Sequence, residues 1–202
     1  MSAPRLRVHA DSAMAARAAA RFVGRCARDA VSERGKCFVA FSGGSTPLAM
    51  LGALVAEDLP WRDLHIFQVD ERAAPRGHGE RNLTQLQEAL LGKTPLTADA
   101  LHGMPVEDLD LDSAADRYGK DLAATMGSPA VLDLVHLGLG DDGHTASLVP
   151  GDGALQIRDR DVAVSEEYRG YRRMTLTVPM LDRARQRLWL VTGAGKATML
   201  AR

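Results

Sequence analysis

The sequence predicts a single α/β domain, a parallel sheet wrapped by helices, and three observations carry that expectation. Apolar stretches rich in β-branched and aromatic residues alternate with stretches of helical spacing along the chain. Several strand-like stretches run directly into glycines or ionisable residues, as strands do when they end at the rim of a sheet. Neither a repeat nor a low-complexity linker divides the 202 residues, a length that suits one core.

In chain order, residues 6–9 read as a first short strand, and Asp11 or Ser12 as the cap of an alanine-rich helix running to about residue 32. "KCFVAFSGG" (36–44) is a strand ending in glycines, and "STPLAMLGALVAE" (45–57) is a helix with proline in its first turn. "LHIFQVDER" (64–72) reads as one strand, residues 82–91 and 113–126 as helices, and "VLDLVHLGLG" (131–140) as a buried strand. "MTLTVP" (174–179) and "RLWLVTG" (187–193) supply two more strands, while the polar stretches 151–161 and 166–173 read as surface loops.

Composition narrows the function classes. Hydrophobic residues at 46% and charged residues at 25% describe a folded globular chain. Basic and acidic residues balance to a net charge of -1 and are spread along the chain, so no nucleic-acid or membrane partner is expected. Cys26 and Cys37 have neither disulfide-framework nor zinc-ligand spacing, which fits a reducing compartment. The N-terminal stretch lacks the apolar core of a signal peptide and no long apolar run occurs, so the chain is read as cytoplasmic.

Ligands of open α/β sheets bind beyond the carboxyl ends of the strands. Four stretches become suspects on that ground: residues 42–46, 70–72, 138–144 and 193–196. In the first, Gly43, Gly44, Ser45 and Thr46 lie between a strand end and a helix start. Exposed backbone N–H groups and the helix dipole there suit a phosphate, although a simple capped turn reads equally well. Asp70, Glu71 and Arg72 read either as a solvated strand end or as the lining of a polar cleft.

"GLGDDGHTASLVP" (138–150) satisfies G-x-G-x-x-G, yet Asp141 and Asp142 would stand beside any pyrophosphate it held. Each like-charge contact at ~4 Å costs about 4 kcal/mol at an effective dielectric near 20, which argues against a phosphate here and so against a dinucleotide. The loop instead sets His144 beside Asp142 on a glycine-kinked turn, where a carboxylate can fix an imidazole tautomer and raise its basicity. Arg173 and Lys196, near other strand ends, are weaker candidates as phosphate partners.

"FSGGSTP", "DER" followed ten residues later by Asn82, "LGLGDDGHTASLVP", "RMTLT" and "TGAGK" in this order resemble the 6-phosphogluconolactonase family. The resemblance implies a Rossmann-like α/β fold, a mostly parallel sheet flanked by helices on both faces. It implies hydrolysis of 6-phospho-D-glucono-1,5-lactone, with no cofactor and no metal. His144 would activate water, Asp142 would orient the imidazole, Arg72 would lie near the reacting end or sugar hydroxyls, and Asp70 would hold the cleft. Gly43, Gly44, Ser45 and Thr46, with Arg173 and Lys196, would grip the phosphate. The expected partner is the small phosphosugar lactone, on a monomer or weak homo-oligomer.

Two rivals remain open at this point: a related glucosamine-6-phosphate deaminase or isomerase, and an idle sugar-phosphate sensor. "HTASLVP" and Arg72 differ from the runs usual in the deaminases, and the Asp142–His144 pair speaks for chemistry rather than sensing. The sequence departs from the lactonase pattern at Arg81, where serine is common, and at Val149, where phenylalanine is common. The family also leads one to expect a further segment beyond Arg202.

Overall fold

The computed structural model describes residues 5–201; Arg202, where the resemblance expects continuation, lies outside them. The elements run α1 (Ser12–Arg34), β1 (Cys37–Phe41), α2 (Ser45–Leu54), β2 (Leu64–Gln68), β3 (Asp70–Arg72), α3 (Asn82–Leu90), β4 (Leu101–His102) and α4 (Leu111–Met126). They continue as β5 (Leu134–Leu137), β6 (Val162–Tyr168), β7 (Tyr171–Leu176), α5 (Val178–Asp182), β8 (Gln186–Trp189) and α6 (Ala197–Leu200).

The Asp11 side chain caps α1, accepting the Met14 N–H at 2.6 Å, and Gly35 ends the helix at φ 75°. Ala16, Ala19, Ala20, Ala27 and Ala30, with Val23 and Gly24, are its buried face, so mostly small side chains let α1 lie close on α2 and the sheet. Residues 6–9 form no strand: Leu6 and Val8 are exposed, at 78% and 85%. Apolar alternation needs a neighbouring strand to take its backbone hydrogen bonds, and among the described residues none runs alongside them.

Five strands form an all-parallel sheet in the order β4-β2-β1-β5-β8. Alternation along the strands divides the core in two. Val39, Phe41, Ile66 and Leu134 pack with α1, α2 and α3, whereas Ala40, Phe67, Val135 and Leu137 pack with α4 and a second sheet. The helices on both faces are therefore as expected, except that α4 shares its face with strands.

That second sheet is antiparallel, in the order β3-β7-β6. The stretch 64–72 is thus two strands rather than the one the sequence suggests. Val69 is the handover: its N–H donates to Phe41 O at 3.0 Å, and its carbonyl accepts from Leu176 N–H at 2.9 Å. Residues 166–173, read as a loop, are the heart of the β6–β7 hairpin, turning at Arg169 (φ 53°) and Gly170 (φ 83°). Their polarity misleads because the pairing, not burial, holds the tip of this ribbon; Glu166 and Glu167 are exposed.

From β1 the chain proceeds to β2 on one side, while β5 and then β8 lie on the other. The carboxyl ends of β1 and β5 consequently flank the crevice at which the sheet order reverses, and the segment after β8 joins them.

Candidate active site

The glycine loop after β1 is held from beneath. Ser42 Oγ donates to His136 O at 2.9 Å, and Gly44 N–H donates to Gln85 Oε1 at 3.0 Å. A Cβ at Gly43 would lie 1.7 Å from Asn82 Oδ1, so only glycine lets the loop approach α3 this closely. Thr46 and Thr192 share a hydroxyl contact at 2.8 Å, which ties this loop to the segment after β8.

A cavity of about 220 Å³ opens between these loops. Gly43, Gly44, Ser45, Thr46 and Pro47 line one side; Gly138, Leu139, Leu190, Val191, Thr192 and Lys196 line the rest. The glycine loop and Lys196 are therefore brought together, whereas Arg173 is not part of this lining. Lys196 Nζ donates to Asp141 at 2.5 Å and holds that carboxyl below its ordinary range. Lys196 thereby offsets a negative charge that counted against a phosphate nearby.

The stretch after β5 folds back on itself without starting a helix, so the G-x-G-x-x-G match lacks the helix N-terminus a dinucleotide needs. Gly140 N–H donates to His144 O at 2.7 Å, and Thr145 Oγ1 donates to Gly138 O at 2.8 Å, which brings residue 144 back beside the start of the loop, next to Gly138 and Leu139 of the cavity lining. Gly143 turns the chain at φ 91°, and a Cβ at Gly140 would lie 2.1 Å from His144 Nδ1. Gly140 thus clears the room that the imidazole occupies, and Gly143 supplies the turn.

Asp142 Oδ1 faces His144 Nδ1 at 2.6 Å and also accepts the His144 backbone N–H at 3.1 Å. Its other oxygen accepts the Tyr168 hydroxyl at 3.0 Å. Partial burial pushes the Asp142 carboxyl up, but the hydrogen bonds from His144 and Tyr168 outweigh it and hold the group at about 2. The imidazole is partly exposed, with its edge against the Tyr168 ring at 5.3 Å.

Asp70 and Glu71 are buried, which overturns the reading of a solvated strand end. Asp70 accepts Ser147 Oγ at 2.6 Å and Asn82 Nδ2 at 3.3 Å, with Arg173 Nη1 at 4.0 Å. Burial drives its carboxyl upward, and the Ser147 hydrogen bond and Arg173 charge oppose that. Glu71 accepts Gln68 Nε2 at 2.7 Å and the backbone N–H groups of Arg72, Asn82 and Leu83 at 2.8–2.9 Å, and it pairs with Arg81 at 2.9 Å. It is the knot that ties β3 to α3.

Arg72 points elsewhere. Its guanidinium meets the Glu80 carbonyl, and the Glu80 carboxylate at 3.5 Å, so it is not drawn to His144. Arg173 lies buried beside Asp70, with its guanidinium 5.2 Å from the Tyr168 ring centre. Arg81, where the family commonly has serine, is buried between Glu71 and Glu107, each at 2.9 Å.

Sequence reasoning missed three participants. Ser147 stands within the quoted loop motif, three residues after His144, and its signal was present there. Asn82 was a landmark without a role. Tyr168 carried no signal, because only the β6–β7 pairing brings it to Asp142.

A family description, "Glucosamine-6-phosphate isomerases/6-phosphogluconolactonase", matches residues 10–202. The 6-phosphogluconolactonase of Synechocystis sp. is 39% identical over 171 residues, covering 83% of this chain and 71% of the relative. That of Mycobacterium tuberculosis is 38% identical over 183 residues, covering 85% and 74%. Among solved structures, 6-phosphogluconolactonase from Trypanosoma brucei is similar at a TM-score of 0.88 and 28% identity, over 98% of this chain and 85% of that one.

Proposed function

This chain belongs to the family of glucosamine-6-phosphate isomerases and 6-phosphogluconolactonases, and from that premise we infer that it hydrolyses 6-phospho-D-glucono-1,5-lactone to 6-phospho-D-gluconate, a step of the pentose phosphate pathway. The observation that carries the mechanism is the 2.6 Å contact between Asp142 Oδ1 and His144 Nδ1. A carboxylate at that distance assigns the ring proton to Nδ1 and leaves the Nε2 lone pair as the base.

Nε2 takes a proton from water as the water oxygen bonds to the lactone carbonyl carbon and the carbonyl electron pair moves onto its oxygen. The tetrahedral intermediate then collapses: the bond from that carbon to the ring oxygen breaks, and the ring oxygen takes the proton back from Nε2. One water is consumed and the imidazole ends as it began. Asp142 holds the ring in place and stabilises the imidazolium between the two steps.

Lys196 and the Gly43, Gly44, Ser45 and Thr46 loop bind the phosphate, which the shared cavity supports. Arg173 serves as a second cation on the imidazole side, neutralising charge on the bound ester, and Asp70 holds it there. Arg72 reaches the sugar only by exchanging Glu80 for it. The reading includes a cytoplasmic location, with the phosphosugar lactone as sole partner of a monomer or weak homo-oligomer; no described helix is long and apolar enough to cross a membrane.

The test is a rapid assay on freshly generated lactone, because the ester also opens spontaneously. His144→Ala should lower kcat by about 10²–10⁴-fold. Full activity in that variant removes His144 from the mechanism, and ammonia release from an amino sugar phosphate by the wild type would move the chain to the deaminases.

A further inference from the structure

We propose that Tyr168 is a positioning residue for the reaction, acting through Asp142 to hold the His144 imidazole in line; this rests on the role given to His144 above. Asp142 has two oxygens and both are engaged: Oδ1 by the His144 ring and backbone, Oδ2 by the Tyr168 hydroxyl at 3.0 Å. Without the second bond the carboxylate is free to rotate about its Cβ–Cγ axis, and Nδ1 loses a fixed acceptor. The tyrosine also meets the imidazole directly, edge to face at 5.3 Å.

Tyr168 is itself immobilised. It ends β6 just before the turn at Arg169, and the Arg169 and Arg173 guanidiniums each lie 5.2 Å from its ring centre. Arg173 Nη2 also donates to the Tyr168 carbonyl at 3.3 Å. The phenol therefore joins the exposed Asp142–His144 pair to the buried Asp70–Arg173 pair. Asp142 is the charged group in contact with the imidazole; Arg169 and Arg173 lie against the Tyr168 ring, Asp70 lies behind Arg173, and Asp141, paired with Lys196, precedes Asp142 in the chain.

A hydrogen bond from the phenol also draws negative charge away from Asp142 and so weakens the pull of that carboxylate on the imidazole. Removing the hydroxyl then has three effects of known sign. Tyr168→Phe should lower kcat by about three- to thirtyfold with KM within about twofold, since one neutral-to-charged hydrogen bond is lost. The acid limb of its kcat/KM profile should move to higher pH, and the Asp142 carboxyl, followed by ¹³C NMR, should titrate higher than in the wild type.

Tyr168→Leu, which also loses the ring, should lower kcat further. Circular dichroism and the melting temperature identify any variant that fails to fold, and Tyr168→Phe keeps the ring that packs. Unchanged kcat and an unmoved Asp142 titration in a folded Tyr168→Phe protein overturn the proposal. The NMR titration does not depend on His144 being the base, so a displaced Asp142 titration beside a fully active His144→Ala enzyme would fault the mechanism and leave the coupling standing.

Discussion

Asp70 and Glu71 keep 9% and 0% of their side-chain surface exposed, whereas Asp142 keeps 37% and Asp141 66%. Both acidic pairs follow strands of the parallel sheet, and nothing in the residues themselves says that one pair is enclosed and the other open. Their surroundings do. β3 is gripped by β7 on one side and by α3 through Glu71 on the other, so its carboxylates are enclosed and saturated with donors. The 138–145 loop is closed by a few bonds of its own and faces the cavity. One stretch thus uses its charge to hold the architecture, whereas the other keeps its charge partly open to solvent beside the cavity.

The largest effect should come from breaking the enclosed stretch. Glu71→Ala leaves the buried Arg81 with Glu107 alone and frees the N–H groups of Arg72, Asn82 and Leu83, and the loss of one partner of a buried ion pair costs about 3–5 kcal/mol, to be read by urea denaturation. A variant as stable as the wild type would erase the contrast. On the open stretch, Gly140→Ala places a methyl where the imidazole sits. Displacement of the base on the scale of an ångström should cost about 10²-fold in kcat, with far less effect on the melting temperature than Glu71→Ala has.

A smaller change sharpens the role of the cavity. Lys196→Met should raise KM for the lactone about tenfold or more, since a hydrogen bond to a charged group is lost and Asp141 is left unneutralised beside the phosphate. An unaltered KM would send the phosphate elsewhere, and Arg173→Ala is then the next variant to assay.

The smallest effects concern pH, and the two stretches should differ in sign. The Asp142 carboxyl sits at about 2, below its ordinary 3.8, so its contribution to stability is present above about pH 4 and fades as the pH falls toward 2. Asp70 is raised by burial, so its contribution turns unfavourable as the pH climbs from the ordinary carboxylate range through that raised value. Stability curves of Asp142→Asn and Asp70→Asn against the wild type should accordingly diverge in opposite directions with pH. Parallel curves would mean that the two carboxylates share one environment after all.

Much of this was legible in the sequence, and where it failed the failures have one cause. The helix from Ser12, the strand from Cys37 and the run into Gly138 follow from caps, β-branched residues and continuous apolar stretches, all of them local signals. Asp142 beside His144 was equally local, because two residues separated by a single glycine in a tight turn must meet. Residues 6–9 and 166–173 were misread in opposite senses, since a strand is defined by its neighbour and not by its own residues.

From the sequence alone come the alternation that makes a parallel sheet, the glycine-kinked turn that sets His144 beside Asp142, and the motif order that points to a phosphosugar ester. Each depends on contacts within a few residues, where chain connectivity leaves little choice. The tertiary structure alone decided that Asp70 is sealed between Ser147 and Asn82, that Lys196 and not Arg173 shares the cavity with the glycine loop, and that Tyr168 grips Asp142. Those pairings close over 12 to 77 residues of chain or more, and burial across the two sheets, which no local pattern encodes, is what selects them.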